Sequence, residues 1–243
     1  MKAIIFAAGM GTRISRHIGD APKCLVNVHG MPLINYTIAL LKAKGFEDIG
    51  VVTGYKAELI ENVLPEDVKV FRNPFYQVTN SIASFWMARE FFSSSSAVLS
   101  MNGDVFMEAS VVDDVLRARS DDKLALMVAD SGRIAGADYK FHWTDGRLEK
   151  YGKHLTPQET TGEYVGLGVI PRHRVDQIVG SVHREIMAGN YGKWWEDAIY
   201  EQSAGGEVGI LDIRGQFWVE LDFVEDLNRL RQYLCSDERV AAE

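Results

Sequence analysis

Cysteine is scarce in this chain: Cys24 and Cys235 are the two in 243 residues. Two thiols cannot build a disulfide scaffold or a four-thiolate zinc site, and free thiols in a reducing cytoplasm are the simplest expectation. The six histidines show no His-Glu-x-x-His spacing. Positive charge is also short. Lysine and arginine number 26 against 34 aspartates and glutamates, a net charge of −8. That balance argues against a nucleic-acid binder, although one small basic pocket for a phosphorylated ligand stays compatible with it. No apolar run approaches the ~20 residues that span a bilayer. Met1–Met10 has one lysine and a short apolar run, Ala3–Ala8, that ends at Gly9. That is too short for a signal-peptide core and cleavage site, so no membrane segment is expected. Linkers rich in proline or charge are missing, as are internal repeats, and Ser93–Ser96 is the one low-complexity patch, expected to be a loop.

What is present is ordinary globular material, 47% hydrophobic and 25% charged. Lys2–Ala8 is a compact apolar run that reads as a buried strand. Leu33–Lys44 reads as a helix, with Pro32 before it and Gly45 after it. Ile49–Thr53, Val68–Phe71 and Ala97–Met101 read as strands. Ala57–Val63 reads as a helix that ends before Pro65, and Ser81–Phe92 as one capped by Thr79 or Asn80. This alternation predicts βαβ units and a mostly parallel sheet, which binds ligands at the carboxyl ends of its strands. Gly9–Arg13, Thr53–Tyr55 and Gly103–Asp104 leave such ends.

Beyond residue 120 strands are predicted at Leu124–Ala129, Tyr139–Trp143, Arg147–Tyr151, Tyr164–Ile170, Val208–Ile213 and Phe217–Leu221. Asp145-Gly146 is a hairpin turn signal between the second and third. Helices are expected within Arg172–Met187, over Trp194–Gln202 and over Glu225–Leu234. Without a linker, residues 121–243 are expected to extend the sheet begun in residues 1–120, giving a single domain over 1–243.

The strongest local signal is Ala7-Ala8-Gly9-Met10-Gly11-Thr12-Arg13 after the first strand, followed by Pro22-Lys23. Small residues there let backbone N–H groups turn toward an anion. Gly9 and Gly11 remove Cβ atoms that would block a close phosphate, and Arg13 and Lys23 supply charge. It is not a dinucleotide fingerprint, because Ile14 stands where a third glycine is needed. It is not a P-loop, because Gly-Lys-Ser/Thr occurs nowhere. The bland alternative is a tight turn.

These residues resemble the signature loop of nucleotidyltransferases that make nucleoside-diphosphate sugars and alcohols. The resemblance extends through Gly54-Tyr55, Asn102-Gly103-Asp104 and Trp218-Val219-Glu220-Leu221-Asp222. It implies an α/β fold, a Rossmann-like three-layer sandwich with a mixed, mostly parallel sheet of the nucleotide-diphospho-sugar transferase type. The short length, without a left-handed helix repeat, is most similar to the small CTP-dependent cytidylyltransferases. These act on phosphocholine, inositol phosphate, phosphoglutamine or phosphonates. Gly152-Lys153 and Glu163-Tyr164-Val165-Gly166 are similar to that subgroup. The implied reaction joins CMP from CTP to a small anionic phosphate or phosphonate acceptor and expels pyrophosphate. The same resemblance leaves room for a homodimer.

By this resemblance, Arg13 and Lys23 are catalytic and Asp104 and Asp222 hold Mg²⁺. Ala7, Ala8, Gly9, Gly11, Thr12, Gly54, Asn80, Ser81, Ala83 and Ser84 bind the nucleotide, with residues 1–120 forming its half of the domain. Lys153 and Glu163 bind the acceptor, in the half formed by residues 121–243. Each residue has a plainer reading beside this one. An aspartate at a strand end is commonly a turn former or cap, and Asp222 stands where it could cap the last helix. Lys23 and Lys153 could be solvated lysines, as could Lys140 and, among arginines, Arg133. Asn80 caps a helix in either reading. Trp194-Trp195 could box a cationic amine, but packing is the favoured reading for the five tryptophans. No general base is expected, because a phosphate monoester is already largely dianionic at neutral pH.

Two rivals stand beside the cytidylyltransferase. One keeps the chemistry with another nucleotide, as in a sugar-1-phosphate uridylyl- or thymidylyltransferase. The other is a non-catalytic nucleotide-binding regulator, against which Arg13, Lys23, Asp104 and Asp222 are all retained.

Overall fold

The computed structural model describes residues 1–92, 96–118 and 124–241. Residues 93–95 of the serine patch lie outside the described residues. Thirteen strands appear in chain order among the described residues. They are β1 (Lys2–Ala7), β2 (Asn27–Val28), β3 (Met31–Pro32), β4 (Asp48–Thr53), β5 (Lys69–Arg72), β6 (Val98–Asn102) and β7 (Val105–Met107), then β8 (Ala125–Asp130), β9 (Lys140–Thr144), β10 (Arg147–Tyr151), β11 (Gly162–Ile170), β12 (Val208–Asp212) and β13 (Trp218–Glu220). The α-helices are α1 (Leu33–Ala43), α2 (Ala57–Glu61), α3 (Ser81–Met87), α4 (Ala109–Ala118), α5 (Val175–Met187), α6 (Asp197–Tyr200) and α7 (Val224–Ala241). None of the described helices is long and apolar enough to cross a membrane.

Nine strands form one sheet in the order β5-β4-β1-β6-β11-β8-β12-β10-β9. β5, β4, β1 and β6 run parallel, as do β8 and β12. β11 runs antiparallel to both β6 and β8 and joins the two halves of the sheet. Alternation along β1 shows how the layers are built. Ile4 and Phe6 face a cluster with Ile82 and Phe85 of α3 and Ile178 and Val182 of α5. Ala3, Ile5 and Ala7 face Ile34, Ile38 and Leu41 of α1 and Val111 and Val112 of α4. A sheet buried on both faces needs such continuous apolar strands. Each of these larger side chains contributes roughly 1.5–3 kcal/mol on burial.

Local chemistry sets the element ends. Pro32 precedes α1, and Gly45 follows it at φ +84°. His29 and Gly30 both take positive φ between β2 and β3, the geometry of a tight hairpin turn. α3 stops at Met87 and passes into a 3₁₀ turn at Arg89–Phe91, so the predicted helix over Ser81–Phe92 is shorter. The predicted Trp194–Gln202 helix is reduced to α6, because the Asp197 carboxylate accepts the Trp194 N–H at 2.8 Å and starts the helix there. β7 and α4 fall in a stretch that the sequence reading leaves unassigned.

Candidate active site

The loop after β1 is held by backbone contacts. Tyr55 N–H, just beyond β4, donates to Ala8 O at 3.0 Å. A Cβ on Gly54 would lie 2.8 Å from that oxygen and 2.9 Å from Ala8 Cβ. Gly54 therefore serves close packing beneath the loop. A Cβ on Gly9 would meet no described atom within 4 Å, which matches an open approach. Gly11 is different. It sits at φ +58°, and a Cβ there would fall 2.7 Å from Lys23 Cγ and 2.8 Å from Cε. The missing side chain at Gly11 makes room for the Lys23 stem, and Gly11 still borders both cavities described below.

Two aspartates far apart in sequence meet beside that lysine. Gly103 N–H donates to Phe6 O at 2.8 Å and fixes the turn after β6. β7 then pairs antiparallel with β13, with Val105 opposite Glu220. Leu221 N–H donates to Asp104 O at 3.0 Å, which closes the ribbon and places Asp222 beside Asp104. Lys23 Nζ donates to Asp104 Oδ2 at 2.9 Å and to Asp222 Oδ1 at 2.5 Å. Arg13 Nη1 donates to Asp222 Oδ2 at 3.2 Å. Burial alone would lower the Lys23 pKa. The Asp104 and Asp222 charges and the bonds to both carboxylates overcome it and hold the ammonium above its usual range.

This geometry decides between the alternatives for three residues. Lys23 is a recessed, doubly paired cation. The Asp222 carboxylate oxygens are taken by Lys23 and Arg13 rather than by the first turn of α7, while Asp226 inside that helix accepts the Asp222 and Phe223 N–H groups at 3.1 and 2.8 Å. Asn80 does cap α3, accepting the Ser81 N–H at 2.8 Å. Cys24, next to Lys23, is buried, and burial pushes its thiol up to about 12.

Two cavities open on either side of this cluster. The first is lined by Ala7, Ala8, Gly9, Asn73, Tyr76, Thr79, Ser81 and Ser84. The second is lined by Thr12, Arg13, Asp138, Tyr139, Lys153, Tyr164, Tyr200 and Asp222. Gly11, Lys23, Asn80, Asn102, Asp104, Trp194, Glu196 and Glu220 border both. Most sequence-predicted residues therefore converge, and three do not line either cavity. Gly54 packs beneath the loop, as above. Ala83 is buried in the core on the α3 and α5 face. Glu163 is 6% exposed, its Oε1 accepts the Asp138 N–H at 2.7 Å, and its Oε2 lies 2.9 Å from Arg133 Nε. Its expected contact with an acceptor is corrected to a position behind Asp138. Burial raises its carboxyl pKa, and the Arg133 charge opposes that shift. Lys140 is spent on the backbone, with Nζ 3.2 Å from Lys153 O and 2.9 Å from Leu155 O.

The sequence reading passed over several cavity residues. Glu196 is 5% exposed; Tyr164 Oη donates to its Oε1 at 3.2 Å, and its Oε2 has no hydrogen-bond partner among the described residues. Burial pushes its carboxyl up to about 8. Glu220 accepts from Asn102 Nδ2 at 3.1 Å, and burial with the Asp104 and Asp222 charges drives its carboxyl well above the usual range. The tryptophan pair divides. Trp195 stacks on Phe6 in the core at 5.5 Å, whereas Trp194 borders both cavities and meets the Tyr139 ring edge-on at 5.7 Å. The only sequence signals for these residues were the Trp-Trp-Glu run and the alternation Glu220-Leu221-Asp222 at a strand end.

The chain is similar to known proteins over most of its length. The CTP:phosphoglutamine cytidylyltransferase of Campylobacter jejuni is 26% identical over 253 residues, covering 93% of this chain and 98% of that one. The choline-phosphate cytidylyltransferase of Streptococcus pneumoniae is 26% identical over 257 residues, covering 98% and 100%. The solved structure of the CTP:phosphocholine cytidylyltransferase from Streptococcus pneumoniae superposes with a TM-score of 0.78 at 22% identity, covering 96% of this chain and 98% of that one, and so shares the fold. The model of the MobA-like NTP transferase domain matches residues 3–189, which hold the glycine loop, Lys23 and Asp104, and the chain therefore belongs to that family of nucleotidyltransferases.

Proposed function

We propose that the protein is a Mg²⁺-dependent cytidylyltransferase acting on a small phosphorylated or phosphonylated metabolite that carries an ammonium group. The observation that carries this reading is the meeting of two cavities at Lys23 and Asp104. One cavity suits a nucleotide and the other an acceptor, with the reacting groups between them. In this reading residues 1–120 form the nucleotide half of a single domain and residues 121–243 the acceptor half. An acceptor oxygen forms a bond to the α-phosphorus of CTP, the bond from that phosphorus to the bridging oxygen breaks, and pyrophosphate leaves. The nucleophile is already anionic near neutral pH, so no side chain has to remove its proton. Lys23 and Arg13 lie where negative charge accumulates, and a cation fixed there favours the transition state over the ground state.

The donor set fits Mg²⁺. Asp104 and Asp222 already converge on one cation, the Lys23 ammonium. No group of three or more candidate ligands gathers among the described residues. One or two carboxylates completed by phosphate oxygens and waters is the arrangement Mg²⁺ favours. When bound, Mg²⁺ supplies charge neutralisation on the phosphate oxygens.

The ammonium on the acceptor is supported by the second cavity. Its wall holds the rings of Tyr139, Trp194 and Tyr200 and the carboxylates of Asp138 and Glu196. Aromatic faces and acidic oxygens together suit a cation. Glu196 borders this cavity, and Tyr164 holds its Oε1 in place there.

The test is pyrophosphate release by the purified protein with Mg²⁺, each of the common NTPs, and a panel of phosphorylated amines, polyols, sugars and phosphonates. CTP with an amine-bearing acceptor is expected to turn over fastest. Turnover with UTP or dTTP and a sugar 1-phosphate overturns the reading in favour of the other nucleotidyltransferases. Nucleotide binding without turnover on any acceptor favours a regulator.

A further inference from the structure

Asn73 stands just past the end of β5 and is 1% exposed. Its backbone N–H donates to Thr53 O at 2.8 Å. Its side-chain oxygen accepts the Phe75 N–H at 3.0 Å, which fixes which way the amide faces. The amide nitrogen must then face the other way. It donates to Ser84 Oγ at 3.1 Å and to Thr79 Oγ1 at 3.2 Å. An NH₂ group can only donate, so both hydroxyls are acceptors here. Thr79 passes its own proton to Phe75 O at 2.9 Å. The Ser84 proton has no acceptor among the described residues, although Ser84 is 3% exposed. Ser84 and Asn73 both line the first cavity.

We propose that Asn73 is a positioning residue that sets the preference for CTP over UTP, by fixing the Ser84 hydroxyl as a donor toward N3 of the base. The inference rests on the reading of the first cavity as the CTP site. Cytosine N3 is an acceptor, whereas uracil N3 carries a hydrogen. Against cytosine the Ser84 proton is satisfied. Against uracil two donors face each other, and a buried donor without a partner weakens binding. Asn73 does not touch the base in this scheme. It acts through the direction it imposes on Ser84.

Asn73→Asp reverses that direction with almost no change in shape. A carboxylate still accepts the Phe75 N–H, but it now accepts from Ser84 as well. Ser84 then presents a lone pair to the cavity, which suits the uracil N–H. The kcat/KM ratio of CTP to UTP is expected to fall at least roughly tenfold, the size of one lost hydrogen bond. Any general harm from the added charge affects both nucleotides alike and leaves the ratio unmoved. Ser84→Ala, which needs no new charge in the core, is expected to shift the ratio in the same direction without reversing it. Calorimetric binding of CTP and of UTP without acceptor gives the same comparison independent of turnover. Equal losses for both nucleotides in both variants overturn the inference and leave CTP use intact. A wild-type protein that uses CTP and UTP equally overturns the CTP reading and this inference with it.

Discussion

The two cavities are built on opposite principles. The wall of the first comes from chain segments that leave β1, β5 and β6 and from the first turn of α3, and much of it is backbone, glycine, alanine and small hydroxyls. The wall of the second comes from β9, β11, α6 and their flanks, and it presents aromatic rings, a lysine and carboxylates. The first wall works by what is missing. Added atoms at Gly103 would collide with Phe6 O and Ala7, and added atoms at Gly54, beneath that wall, with Ala8. The second works by the side chains it carries, so it can be retuned by substitution without disturbing the sheet. A nucleotidyltransferase that keeps its nucleotide and changes its acceptor needs that division.

The sharpest way to break the comparison is to attack the seam between the cavities. Asp104→Ala or Asp222→Ala is expected to lower kcat by about 10³-fold or more, since metal neutralisation is worth several kcal/mol. Lys23 keeps its other carboxylate in each variant, so circular dichroism and the melting midpoint should stay close to wild type. Near-normal kcat in Asp222→Ala would remove the residue from the mechanism. Lys23→Ala should come next, with a loss in kcat of on the order of 10²–10³ and little change in the KM for CTP. Lys23→Arg should recover only part of that loss, because the planar guanidinium is wider than the ammonium and places its charge differently. A raised KM, unchanged kcat and full rescue by arginine would reduce Lys23 to general attraction.

The same division explains what the sequence reveals. Lys2–Ala7, α1 and the glycine loop are legible because the interactions that define them are local: a short apolar run, proline before the helix, glycine after it. Lys23 is marked by its place after the glycine loop, but the pairing of the two aspartates is reached only through resemblance, since nothing local says that residues 104 and 222 meet. That meeting depends on the pairing of β13 with β7, and β7 is a three-residue strand without a sequence signal of its own. Glu196 and Tyr139 are less legible still. Glu196 reads as one more surface glutamate, and its burial follows from α6 packing against β11, a contact no spacing rule encodes. Glu163 misleads in the opposite sense. Its sequence neighbourhood resembles an acceptor site, but strand alternation turns it away from the cavity and toward Arg133.

A smaller effect is expected at Glu196, and it carries a pH signature. Its folded pKa of about 8 lies above the ordinary 4.5. Between those values the folded protein holds a proton that the unfolded chain has lost. Stability from this group therefore falls as pH rises through that window and levels off above it. Glu196→Gln should flatten that part of the stability–pH curve. An ammonium beside Glu196 favours the ionised form, so acceptor affinity should rise between about pH 7 and 8 in the wild type and stay flat in the variant. The acceptor KM of Glu196→Gln should be roughly tenfold higher near pH 8, with the CTP KM unchanged. An acceptor KM that moves identically with pH in both proteins would show that this carboxyl does not meet the substrate.

The smallest effect separates two roles for Lys153. Its Nζ lies 2.6 Å from Asp138 Oδ2, and both side chains are nearly half exposed, at 44% and 47%. A pair this open is worth at most about 1 kcal/mol, so Lys153→Ala should change stability by no more than roughly 0.5 kcal/mol. If Lys153 turns from Asp138 to the acceptor's phosphate or phosphonate, removing it costs a charge-assisted contact. The acceptor KM should then rise severalfold, more steeply at low salt, because the contact is exposed to screening. Asp138→Asn frees the lysine and should have a smaller effect on an acceptor without an amine than on one that carries it. If Lys153 only steadies Asp138, the two substitutions should raise the acceptor KM equally and combine with no further loss. A double-mutant cycle on acceptor KM, run with an amine-bearing and an amine-free phosphate, distinguishes the two. Equal single effects with full coupling would assign the contact with the acceptor to Asp138 alone.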